Sequence, residues 1–158
     1  MLEAGMWAVT LDTNSVWYYT GTVWKPKSTP WTAYTPAWTN LTLNSGTVDS
    51  ARYRYQDGDM RVRGQVTFAA DSVIAGTVSQ TLPDGVTSDT GWTGGVGLAR
   101  DNSGNVFDTL VIGITPGVLA FSWVCSKSGL PLGNVEPFAG TFGQVSDQLT
   151  WDFLVAVA

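Results

Sequence analysis

The sequence predicts an all-β fold: a jelly-roll-like antiparallel β-sandwich carrying a short N-terminal hairpin. Three observations predict it. Apolar and polar residues alternate with period two through Ala51–Tyr55 and Met60–Phe68, as in strands with one buried face. Turn clusters rich in Gly, Asn, Asp and Pro recur between short strand-like runs, the spacing of a sandwich rather than of strands separated by helices. Glu, Lys and Arg never recur at helical spacing, which also excludes a coiled coil.

The elements follow in order. Trp7–Leu11 and Ser15–Thr20 flank Asp12-Thr13-Asn14 and read as a hairpin. Gly21–Thr35, with Pro26 and Pro30, reads as a connector because proline blocks helix and central strand alike. The division therefore falls at Pro30: residues 1–29 as hairpin and linker, residues 30–158 as the main domain. Trp38–Leu43 opens that domain. Next comes the clearest signal, two alternating runs around Gln56-Asp57-Gly58-Asp59, since Asp-Gly between such runs marks a tight hairpin. Met60, Val62, Val66 and Phe68 share one face, and Arg61, Arg63, Gln65 and Thr67 the other. Further strands are expected at Ser72–Leu82, Gly95–Arg100, Val106–Ile114, Val118–Cys125 and Leu149–Val157, with loops at Pro83–Gly95 and Ser126–Gln148. Met60, Val62, Val66, Phe68, Val111, Phe121, Trp123 and Phe153 are the expected core.

Composition narrows the function. The chain has 158 residues, 13 % charged and 12 % aromatic, with eight tryptophans; so aromatic and charge-poor a chain is not disordered. No histidine is present, which removes the commonest general base and neutral metal ligand. One cysteine, Cys125, permits no intramolecular disulfide, and without a histidine beside it an inert buried thiol is expected. A net charge of −5 argues against nucleic acid as a partner. Neither a membrane-spanning run nor a signal peptide is visible. Scarce charge also points to an oligomer, because interface cores are charge-depleted.

The chemistry-bearing candidates are few. Asp57 with Asp59, or Asp147 with Asp152, could form the carboxylate pair of a glycosidase; turn capping is the simpler role for most of the eleven aspartates. Asp57-Gly58-Asp59 lacks the further acids of a calcium loop. Gly91–Gly97, without a lysine or helix after it, is no phosphate loop. Neither a catalytic residue, a cofactor nor a metal ligand is expected. Arg52, Arg54, Arg61 and Arg63 hold half of the eight basic charges on one hairpin face. They make either an anion or sugar-acid site, or a ladder paired with acids such as Asp49 or Asp152, locally or across a subunit boundary. The ladder is the simpler expectation. Trp31, Tyr34, Trp38 and Trp92, with Tyr18 and Tyr19, make either a carbohydrate platform or a subunit-contact surface.

Two stretches resemble a known group. Trp7–Trp24, through Asp12-Thr13-Asn14 and Tyr19-Thr20-Gly21, resembles a hairpin module of phage tail and fibre proteins. Trp31–Leu43, then Gly46-Thr47-Val48 and the Arg/Tyr strand, is similar to the distal β-domains of actinobacteriophage tail proteins, and Asp147–Ala158 is similar in place to their last strand. The resemblance implies a non-enzymatic virion structural protein, a homotrimeric tail-associated knob that attaches to the host surface. Residues 1–27 would dock it to other virion proteins, and a host-surface glycan would be a ligand. It would be made in the host cytoplasm and reside in the virion. A trimeric capsid-decoration protein is the alternative, and a cell-wall or glycan hydrolase the remote one.

Overall fold

The computed structural model describes residues 2–87, 94–101, 106–114, 120–126, 133–134 and 146–157; of these, side-chain surroundings are described for 2–75, 78–87, 95, 97–100 and 146–157. Their strands run β1 (Trp7–Thr10), β2 (Ser15–Tyr19), β3 (Trp24–Ser28), β4 (Thr32–Ala33), β5 (Trp38–Thr42), β6 (Thr47–Gln56), β7 (Asp59–Thr67), β8 (Val73–Thr81), β9 (Gly94–Asp101), β10 (Val106–Ile114), β11 (Ala120–Ser126), β12 (Gly133–Asn134) and β13 (Gln148–Val155). A single 3-10 turn at Pro83–Gly85 is the helical content of the described residues. The protein is an all-β antiparallel sandwich.

One hydrogen-bonded path links the strands in the order β1-β2-β3-β6-β7-β13-β9-β10-β11-β8-β5, with β12 beside β11 and β4 beside β6. Within it, β13-β9-β10-β11 is a Greek key: three consecutive strands, with the fourth returned beside the first. Strand β5 lies six places from β7 on this path, yet Trp38 of β5 meets Trp151 of β13 edge-on with ring centroids 5.5 Å apart. The sheet therefore folds back on itself, and β5 and β8 cover β7 and β13. Between them sits the core. Leu41, Val78 and Leu82 pack with Met60, Val62, Val66, Phe68, Leu149, Trp151, Phe153 and Val155.

The β6–β7 hairpin forms as its alternation demands. Asp57 and Gly58 take φ of 56° and 90°, the doubly left-handed backbone of a turn that matches strand twist. Met60, Val62 and Val66 are fully buried and Phe68 nearly so. Phe153 joins them; Val111, Phe121 and Trp123 lie outside the described side chains, as does Cys125. Gly64 lets Trp151 lie flat on β7: a Cβ there would meet the indole at 2.3 Å and the Ser50 carbonyl at 2.6 Å.

Two sequence expectations need correction. The connector at Gly21–Thr35 contains strands β3 and β4. Pro26 is tolerated in β3 because it stands at a bulge against β2 and offers only its carbonyl, which accepts the Gly58 N–H at 3.0 Å. The division at Pro30 falls within a stretch held to β6 on both sides, by Thr29 N–H to the Tyr55 carbonyl and Tyr34 N–H to the Ala51 carbonyl. Second, Ser126–Gln148, read as a loop, includes β12.

Candidate functional site

The outer face of β6 and β7 carries the four hairpin arginines, because the inner positions are taken by the core. The register sets Arg52 directly opposite Arg63 and Arg54 directly opposite Arg61. Like charges so placed repel. One of the four is neutralised: Arg61 donates from Nε and Nη2 to the two Asp152 carboxylate oxygens, both at 2.8 Å. Arg52, Arg54 and Arg63 have no ion-pair partner among the described residues.

Trp31 organises part of this surface. β4 pairs with β6 as Thr32 to Tyr53 and Ala33 to Arg52, so the preceding residue arrives beside Arg54. The Arg63 guanidinium lies 4.0 Å from the Trp31 ring centroid and that of Arg54 4.8 Å, close enough for both to draw on the negative ring face. Arg54 also donates from Nη2 to Gln56 at 2.8 Å, while its enclosed Nε has no acceptor.

Within the chain, the two acids named for the ladder take different places. Asp152 does pair with an arginine, but Asp49 does not. A bulge between Val48 and Ser50 displaces Asp49 toward the far end of β7, where Thr47, Gln65 and Thr67 donate to its carboxylate. Burial pushes that carboxyl upward, but these donors prevail and hold it below its ordinary value.

The aromatic candidates separate too. Tyr34 and Trp38 are half-buried, packed against the core rather than spread as a surface. The Tyr34 hydroxyl accepts the Gln80 amide at 2.7 Å, and burial pushes the phenol up to about 12 against that bond's pull. Both sit on strand ends that the sheet folds inward, a consequence of strand order that local pattern does not carry. Trp92 lies outside the described residues. Tyr18 and Tyr19 belong to the N-terminal sheet, tilted against Trp7 and Trp24 with centroids at 6.5 and 5.3 Å. Apolar side chains are exposed on β1, in the segments flanking it and in the β2–β3 turn. Leu2, Met6, Trp7, Val9, Leu11 and Val23 are all exposed, Trp7 by 59 % and Leu11 by 93 %.

Between the N-terminal sheet and the hairpin turn lies a cleft of about 360 Å³, lined among others by Trp17, Lys25, Tyr55, Asp84 and Val157. The Tyr55 hydroxyl donates to Asp84 at 2.9 Å, and burial together with that carboxylate raises the phenol above its ordinary value. The candidate carboxylate pairs are engaged elsewhere. Asp57 is ion-paired with Lys27 beside the turn. Asp147 is buried, whereas Asp152 lies on the outer face with Arg61. Among the described residues, no three acidic or thiol side chains group as a metal site. The chain matches no protein-family model, no curated protein and no solved structure.

Proposed function

We propose that this chain is a non-enzymatic structural component of a phage virion, a homotrimeric tail-associated knob that attaches to the host surface. The observation that carries the reading is the N-terminal sheet. Six exposed apolar side chains lie on β1 and in the segments around it, from Leu2 to Val23, and among the described residues β1 pairs only with β2. A patch of that kind, on so charge-poor a chain, is the mark of a surface that another protein covers. Residues 1–27 dock the knob to a neighbouring virion protein, and the sandwich is presented outward. The outer faces of β9 and β13, where Leu98 and Leu154 stay exposed, favour contacts between copies.

The test is incorporation. Val9→Ser, Leu11→Ser and Val23→Ser together remove apolar surface that the fold leaves largely in water, so the variant is expected to melt close to wild type. It is expected to be missing from purified particles that otherwise assemble. Normal incorporation of the folded variant would overturn the docking role. Labelled wild-type protein on the head rather than at the tail tip would replace the knob by the capsid-decoration reading.

A further inference from the structure

We infer that the outer face of the β6–β7 hairpin is an anion-binding site, formed by Arg52 and Arg63 with Arg54 beside them, and that its ligand is an acidic glycan. The arrangement of these arginines carries a cost. Cross-strand partners stand about 5 Å apart at Cα, and here two such pairs, Arg52 with Arg63 and Arg54 with Arg61, are both cationic. A chain with net charge −5 and only eight basic residues has nonetheless placed four of them side by side. Among the described residues only Arg61 has an ion-pair partner, Asp152. Of the other acids near this face, Asp49 is engaged by Thr47, Gln65 and Thr67. Asp59 stands at the turn, opposite Gln56 and not within ion-pair distance of an arginine. Among the described residues no carboxylate relieves the repulsion that remains.

The second observation is pre-organisation. Trp31 takes Arg63 and Arg54 over its ring at 4.0 and 4.8 Å, which limits their freedom before a ligand arrives and lowers the entropy lost on binding. Arginine presents a planar fork suited to two-point contact with carboxylate or phosphate. Arg52 and Arg63 are exposed on the same face, so an oxyanion can reach both. The Trp31 ring is already occupied by guanidiniums, so it supports the site rather than stacking on a sugar. A glycan that repeats its charge engages several arginines along the strand pair at once. This site lies apart from the N-terminal apolar patch and does not depend on the docking role.

The experiment uses the full chain and polygalacturonate as the carboxylate-bearing probe, with dextran as the neutral control and inorganic phosphate as competitor. Wild type is expected to bind polygalacturonate at low ionic strength, weakening with added salt, and to ignore dextran. Arg52→Gln with Arg63→Gln is expected to lose roughly tenfold or more in affinity, as charged hydrogen bonds are removed. Lys25→Gln, a charge change elsewhere, is expected to lose almost none. The double variant is expected to melt no lower than wild type and to keep its oligomeric state. Absent wild-type binding, undiminished binding by the double variant, or an equal loss with Lys25→Gln would overturn the site. A lower melting temperature or a changed oligomeric state in the double variant would instead give these arginines to structure or to subunit contact. Displacement by inorganic phosphate at matched anion concentration would overturn the glycan as ligand.

Discussion

Phe68 and Tyr34 show how single residues divide the labour of this fold. Phe68 is almost wholly enclosed, and its backbone N–H and carbonyl bond to the Asp147 carbonyl and Ser146 N–H, tying the end of β7 to the start of β13. Phe68→Ala leaves those bonds and opens a cavity, so unfolding in denaturant should show a loss of about 3–5 kcal/mol. Tyr34 makes a pH prediction. Its phenol ionises at 10.0 in its ordinary state and at about 12 in the fold. A raised folded value means that its contribution is complete below pH 10 and is lost as pH climbs toward 12. Tyr55 is raised in the same direction and adds to the effect. Melting temperatures taken across that window should fall more steeply for wild type than for Tyr34→Phe.

At the scale of the element, the β6–β7 hairpin is specified twice, by alternation and by its turn. Gly58 holds φ of 90°, and a Cβ added there would stand 3.1 Å from the Tyr18 hydroxyl. Gly58→Ala should therefore cost about 1–2 kcal/mol through the left-handed backbone alone, read as a lower melting temperature with an unchanged far-ultraviolet spectrum. Gly64→Ala is expected to be worse, because the indole of Trp151 and the Ser50 carbonyl already occupy the space. The Arg61–Asp152 pair contributes less. Both side chains are about two-fifths exposed, so Asp152→Asn should change stability by roughly 0.2–1 kcal/mol.

For the whole molecule, an antiparallel path that folds back on itself predicts a β-type circular dichroism spectrum without a helical signature. The proposed trimer is checked by light scattering at micromolar concentration, where three times the monomer mass is expected and a monomer would remove it. The N-terminal sheet is also part of this larger object. It continues the main sheet through β3 and the hairpin turn, with Gly58 N–H donating to Pro26 and Asp57 N–H donating to Lys27. A perturbation at the turn should thus be felt at the proposed docking surface.

Local pattern was enough for the strands. Period-two alternation located β6 and β7 and their faces, because burial of one side of a pleat leaves its mark on every second residue. It was enough also to place four arginines on one surface. It failed for β3, where prolines masked a strand that survives by pairing at a bulge. Phe153 marked the inward face of β13, and Leu149 and Trp151 follow it by alternation; the register between β7 and β9 came from the tertiary structure. Tertiary structure alone decided which acid neutralises which arginine. A one-residue bulge sent Asp49 to Gln65 and Thr67, while strand order brought Asp152 across 91 positions of sequence to Arg61. Alternation along a strand is a local property of the chain, but strand order and register are set by which long-range pairings bury the most apolar surface.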